Sequence, residues 1–306
     1  MNGPRSILVV GSINMDLVVQ SARLPTPGET LIGRSISEIP GGKGANQAVG
    51  AARLGANVSM IGRIGDDAFG GRLLDGLKSA GIDTGGVRST EGSSSGIAII
   101  GVEDSGQNCI TVIPGANGLV TPEDVSAAEA LFSAADVLLL QLEIPLATVR
   151  AAIELAKRHG VLTVLDPAPA VTDLPPEMLE VDVVCPNESE ASLLTGIGVS
   201  SRTAAEKAAL ALQQRGATRA IITLGDQGAV FCDKNGECGF VDGFSVHAVD
   251  TTAAGDAFAA ALGLKLAEAA DFRDAVRFAC AAGAVAATRE GAQPGMPSRD
   301  DVEKLV

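Results

Sequence analysis

Residues 136–169 read "DVLLLQLEIPLATVRAAIELAKRHGVLTVLDPAP". Two apolar runs, "DVLLLQLE" (136–143) and "VLTVLDPAP" (161–169), flank a helix-spaced segment at 145–159. A near-continuous apolar run is the pattern of a strand buried on both faces. The unit repeats in both directions. C-terminal to it lie "VDVVCPNE" (181–188) and "RAIITLGDQG" (219–228), the latter preceded by a helix at 201–215. N-terminal to it lie "SILVVGS" (6–12), which "DLVVQS" extends, the helix "GANQAVGAARLGA" (44–56), the strand "NVSMIGRIG" and the helix "DDAFGGRLLDGLKSAG" (66–81). Two Ala-rich helices close the chain at 254–269 and 272–288. Strands alternating with helices predict an α/β fold with a doubly wound, mostly parallel sheet flanked by helices.

One region breaks the rhythm. "SGIAIIGVED" and "NCITVIPG", within 95–113, read as two strands with no helix between them, and 17–39 also lacks helical periodicity. These stretches are expected to form a small β-sheet projecting from the main body.

Composition narrows the function. The chain has 306 residues, 46% of them hydrophobic and 20% charged, enough for one large α/β domain. There are eight Phe and no Trp or Tyr, so the core is aliphatic. A net charge of −14 repels phosphate backbones and anionic membranes, which argues against nucleic acid or membrane as partners. Cys109, Cys185, Cys232, Cys238 and Cys280 lack metal spacing. They read as free buried thiols in a reducing, cytoplasmic setting, although Cys232 and Cys238 could bridge a hairpin. The N-terminus has neither signal-peptide nor membrane-span character.

In open parallel sheets ligands sit beyond the carboxyl ends of the strands. The candidate strands end there in Asn14, Glu143, Asp166, Asn187 and "TLGDQG" (223–228). "DTTAAGDAFAAAL" (250–262) sets small residues before Asp256 at a helix start, where backbone amides make an anion site. A carboxylate beside a bound phosphate makes sense as a base for an attacking hydroxyl, the division of labour in phosphoryl transfer. It also makes sense as a mere complement to the helix dipole. "GGKGANQA" (41–48) is neither a Walker loop nor G-x-G-x-x-G, since Gln47 fills the third glycine's place. Its Lys43 and Asn46 suit a polyhydroxyl ligand, as do Asn14 and Asp16, two apart in "GSINMD"; a plain turn accounts for either motif as well. "PNESE" (186–190) puts Asn187 and Glu190 three apart, suited to water-mediated Mg²⁺ or to an ordinary helix cap.

In this order, "GSINMD", "GGKGAN", "QLE", "PNESE", "TLGDQG" and "DTTAAGD" resemble the ribokinase-type carbohydrate kinase family, over about residues 6–300. The resemblance implies a single domain over 1–306 with a β-sheet lid, formed by about 14–40 and 94–114, that clasps a second subunit in a homodimer. It implies ATP-dependent phosphorylation of a sugar's primary hydroxyl, with Mg²⁺ and K⁺. Asn14, Asp16, Gly42, Lys43, Asn46 and Glu143 would hold the sugar. Asp256 would be the base, with Ala253, Ala254 and Gly255 as the anion hole. Asn187, Thr223, Gly225, Gly228, Gly255 and Cys280 would contact ATP, and Glu190 would organise Mg²⁺ through water. Asp250, Thr252, Ala286, Arg289, Gly291 and Gly295 match the potassium site. Gly295 stands where the pattern has Ser, which removes one hydroxyl ligand, and Ala253 stands where many relatives have Gly.

The leading expectation is phosphorylation of O5 of D-ribose. The alternatives are another acceptor (a hexose, deoxyribose or a nucleoside) and a silent sugar-binding protein on the same fold.

Overall fold

The computed structural model describes residues 3–306. Its strands are β1 (Ser6–Val10), β2 (Asn14–Ser21), β3 (Ser35–Gly41), β4 (Asn57–Gly65), β5 (Asp83–Thr90), β6 (Gly96–Glu103), β7 (Asn108–Ile113), β8 (Val137–Leu140), β9 (Leu162–Leu165), β10 (Val183–Val184), β11 (Arg219–Thr223), β12 (Gly228–Cys232) and β13 (Cys238–Asp242). The helices are α1 (Lys43–Arg53), α2 (Ala68–Ser79), α3 (Pro122–Ala127), α4 (Glu129–Ala134), α5 (Leu146–His159), α6 (Glu188–Thr195), α7 (Arg202–Gln214), α8 (Ala254–Ala267), α9 (Phe272–Ala287), α10 (Ala292–Gly295) and α11 (Arg299–Glu303).

The main sheet has nine strands in the order β13-β12-β11-β10-β9-β8-β1-β4-β5. Every pairing from β11 to β5 is parallel, and β12 and β13 close one edge antiparallel. Strand alternation explains why both faces are covered. On β1, Ile7 and Val9 face one core cluster, which takes in Ala48 of α1, Phe258 of α8 and Phe278 of α9. Leu8 and Val10 face the other, with Ile153 of α5 and Leu212 of α7. Small residues let the helices of the first layer approach closely: a Cβ on Gly50 would lie 3.0 Å from that of Ala260. Among the described residues no helix is long and apolar enough to cross a membrane.

The second sheet has four strands in the order β3-β2-β6-β7, and matches the expected small projecting sheet. It also corrects one expectation. "DLVVQS" does not extend β1; it lies in β2, and residues 11–13 carry the chain from one sheet to the other. The physical reason is Asn117, whose side chain occupies both hydrogen-bonding groups of Ile13, accepting from its N–H (2.9 Å) and donating to its C=O (3.2 Å).

The thiol expectation is also corrected. The β12–β13 register sets Cys232 opposite Cys238, and the two form a disulfide. Of the free cysteines, Cys185 is buried, Cys280 is half-buried, and Cys109 is exposed on β7.

The chain starts in the middle of the main sheet and winds outward to β5, then returns to β8 and winds the other way. The direction of winding reverses between β1 and β8, and a crevice opens beyond the carboxyl ends of two such strands.

Candidate active site

The segments leaving β1 and β8 meet at this reversal point. Glu143, just after β8, accepts hydrogen bonds from the hydroxyl of Ser12 and from the N–H of Lys43 (3.0 Å). Ser12 in turn accepts from the N–H of Gly44 at its Oγ (3.3 Å) and from that of Ala45 at its carbonyl (2.9 Å). The first turn of α1 has no side-chain cap of its own, since its N-cap is Gly42. Glu143 and Ser12 supply the cap, and the carboxylate complements the positive end of the helix. This local design explains the glycines of "GGKGANQA". Gly42 has φ 85°, and a Cβ there would lie 2.7 Å from the N of Asn14.

From α1 three side chains reach the cleft. The Lys43 Nζ lies 3.7 Å from Asp166 Oδ2. Burial works against its charge, but Asp166, Asp256, Glu143 and Glu190 outweigh it and hold the ammonium well above its ordinary pKa. Asn46 Nδ2 donates to Asp256 Oδ2 (2.9 Å). Gln47 Nε2 donates to Asp256 Oδ1 (3.2 Å) and to Asp166 Oδ2 (3.0 Å). Asn46 Oδ1 is buried without a partner.

Asp256 is 4% exposed in the first turn of α8, and its carboxylate points towards α1. At that helix start the N–H of Ala254 donates to Thr251 O (3.2 Å), whereas the N–H groups of Ala253, Gly255 and Asp256 have no acceptor among the described residues. Nothing lies within 4 Å of where a Cβ on Gly255 would stand, so this helix start borders open space on its Cβ side. Ala253 has φ 60°, a left-handed conformation that costs a side-chain-bearing residue about 1–2 kcal/mol. Ala253→Gly is therefore expected to raise stability by about 0.5–1 kcal/mol, after the extra chain entropy of glycine, and thermal melts of the two proteins check it.

At the start of β2, Asn117 Nδ2 donates to Asn14 Oδ1 (2.6 Å), which leaves the amide nitrogen of Asn14 for a ligand. Asp16 points to the same side and receives no hydrogen bond from the described residues. Burial, with Glu143 and Asp256 nearby, pushes its pKa up to about 7. Gly41 leaves room for it, since a Cβ there would collide with the Asp16 carboxylate. Asp166 is likewise pushed up to about 7 by burial, with Lys43 opposing the shift. Burial also raises Glu190, against the hydrogen bond from the Asn187 N–H and the charge of Lys43.

The remaining predicted residues fall into two groups. Asn187 and Glu190 form a reciprocal helix cap at α6, each accepting from the other's N–H at 2.9 Å. Thr223 bridges to Asn187, Gly225 and Gly228 have φ 57° and 107°, and Cys280 is held as a thiol, with burial pushing it up to about 12. In the second group, Asp250 accepts from the N–H groups of Thr252 and Gly291, both at 2.9 Å. A Cβ on Gly295 would lie 3.6 Å from the carbonyl oxygens of both Ala286 and Arg289, and the Arg289 carbonyl accepts no hydrogen bond. Backbone oxygens gathered in this way fit a weakly charged monovalent cation. No group of three or more His, Cys, Asp or Glu among the described residues could hold a metal ion.

Ser12, Gln47, Asn117, Gln141 and Asp166 complete the network; of these the sequence placed only Asp166, as a strand end at the ligand-binding edge. A buried Gln inside the Ala-rich run "GANQAVGAA" was the available signal for Gln47.

A doubly wound sheet with a small second sheet rooted at its cleft, and a cluster of carboxylates and amides where the two meet, defines a sugar-kinase class of α/β enzyme. The chain belongs to the pfkB family of carbohydrate kinases, whose model matches residues 4–299, and it is an ATP-dependent carbohydrate kinase. It is 42% identical to a ribokinase of Haemophilus influenzae over 99% of this chain and 98% of that one. It is 38% identical to a deoxyribokinase of Salmonella typhi over 98% of each. Among solved structures, an Arabidopsis thaliana ribokinase complexed with ribose and ATP is 32% identical, with a TM-score of 0.90 over 99% of both chains.

Proposed function

We propose that the protein transfers the γ-phosphoryl group of ATP to O5 of D-ribose. The observation that carries this reading is Asp256: a buried carboxylate held by Asn46, at a helix start with unpartnered amides. Asp256 accepts the proton of the attacking hydroxyl, and the amides of Gly255 and Asp256, with Ala253, stabilise the negative charge on the migrating group. Ala254 contributes less, because Thr251 already takes its amide. Asn14 donates to the sugar, Asp16 accepts from two of its hydroxyls, and Asn46 Oδ1 accepts from a third. Gly42, Lys43 and Glu143 shape and charge this subsite.

Asn187, Thr223, Gly225, Gly228 and Cys280 line the nucleotide subsite. Glu190, with one oxygen committed to the Asn187 N–H, fits a water-mediated hold on Mg²⁺, which supplies charge neutralisation of the phosphates when bound. The cluster of Asp250, Thr252, Ala286, Arg289, Gly291 and Gly295 fits K⁺, held without the hydroxyl a Ser at position 295 would give. The small sheet acts as a lid that excludes water from the phosphoryl group. Its exposed Ile36 and Ile99, which the register places on one face with Leu17 and Val19, are covered by a second copy of the chain.

The experiment is ATP consumption with a panel of sugars. D-ribose is expected to exceed 2-deoxy-D-ribose by about 10-fold or more in kcat/KM, since a buried polar group left unpaired costs about 1–3 kcal/mol. Equal values would remove Asn14 from sugar selection, and preference for 2-deoxy-D-ribose would make this chain a deoxyribose kinase. Turnover of no sugar would overturn the reading altogether.

A further inference from the structure

Gln47 touches neither the sugar subsite nor the nucleotide subsite described above, yet it and Gln141 are both fully buried. Buried amides are costly unless paired, so their hydrogen bonds have to be accounted for. Gln47 donates both hydrogens of Nε2, one to Asp166 Oδ2 and one to Asp256 Oδ1, and its Oε1 accepts from Gln141 Nε2 at 2.6 Å. A carboxylate that is to take a proton from the attacking hydroxyl only accepts hydrogen bonds, so Asp256 sets the direction of this chain of amides. The direction leaves Gln141 Oε1 buried with no donor, against the space where Gly11 lacks a side chain. Turning the amides round would satisfy that oxygen but aim Gln47 Oε1 at two carboxylates. The unpaired acceptor therefore lies at Gln141, and at the other end both Asp256 oxygens are hydrogen-bonded.

We infer that Gln47 is a positioning residue for the phosphoryl transfer, fixing the plane of the Asp256 carboxylate from behind while Asn46 holds its other oxygen. The inference rests on the reading of Asp256 as the base. The groups around that carboxylate make a tether necessary. Asp16 on β2, Asp166 after β9 and Glu190 on α6 repel it, and Lys43 on α1 attracts it. Without the Gln47 amide between them, Asp166 and Asp256 face each other with no bridging donor.

The test is Gln47→Met, which keeps length and loses every hydrogen bond. In a crystal structure of this variant the Asp256 carboxylate is expected to turn out of hydrogen-bonding distance of Asn46. With D-ribose and ATP, kcat is expected to fall about 100-fold, the scale of a roughly 1 Å misplacement, while both KM values stay within about threefold because Gln47 does not reach either ligand. A merely structural role would lower the melting temperature and leave this split unseen. An unmoved carboxylate with kcat within about twofold of the parent overturns the inference. Should Gln47→Met fail to fold, Gln47→Glu still accepts from Gln141 and puts a like charge against Asp256, and it must show the same displacement and loss. If the parent phosphorylates no sugar, the proposed function falls, and the crystal structures of parent and variant still decide whether Gln47 holds Asp256.

Discussion

Asp256→Asn is expected to lower turnover by about 10³-fold or more, the upper range of what a positioned general base contributes. Both protein partners of this carboxylate are donors, Asn46 Nδ2 and Gln47 Nε2, so a new amide would bring one NH₂ against another. Asn46 can absorb the change by turning its amide round, because its Oδ1 has no partner among the described residues. The substitution also removes a negative charge from a cluster containing Asp16, Glu143, Asp166 and Glu190. The variant is therefore expected to melt at a higher temperature than the parent while losing almost all turnover. A coupled assay for ADP release, calorimetric titration with D-ribose, and a thermal melt together check this. Turnover within about tenfold of the parent would remove Asp256 from the chemistry, since a positioned general base typically contributes about 10²–10⁴-fold.

Much of the architecture could be read from the chain because burial on both faces leaves a simple signature. The runs at 137–140 and 162–165 contain almost nothing but Val and Leu, and a helix of regular spacing joins them. Where the signature weakened, so did the reading. β5 is "DTGGVRST", an edge strand with two glycines and little apolar content, and it resembles a turn until β4 pairs with it. The error at "DLVVQS" came from treating apolar residues as continuous when a side chain a hundred positions away, Asn117, interrupts the strand through its backbone bonds. The Cys232–Cys238 pairing needed the register of a hairpin that composition does not fix. The site was legible where each motif sits at a strand end or helix start. The supporting amides were not, because Gln47 and Gln141 gain meaning only from carboxylates that lie far off in sequence.

The second large effect separates stability from function at Asp16. In the unfolded chain its carboxyl has the ordinary value of 3.8, and in the folded protein it is pushed up to about 7 by burial and by Glu143 and Asp256. Between about pH 4 and pH 7 the folded state keeps a proton that the unfolded chain has released. Stability therefore falls as pH rises through that window and stays low above it. A shift of about three units corresponds to roughly 4 kcal/mol at most. Asp16→Asn removes this penalty, so at pH 8 the variant is expected to gain about 2–4 kcal/mol, or about 3–6 °C in melting temperature. The gain should vanish near pH 4, where the parent carboxyl is already protonated in the fold. Sugar affinity should move the opposite way. A carboxylate that accepts from two hydroxyls is replaced by a single acceptor and a donor, and D-ribose binding is expected to weaken about 10²-fold. Melts at both pH values and calorimetry with D-ribose read the two effects independently. An equal gain at pH 4 and pH 8 would show that the cost at this position is packing rather than charge, and unchanged affinity would take Asp16 out of the sugar subsite.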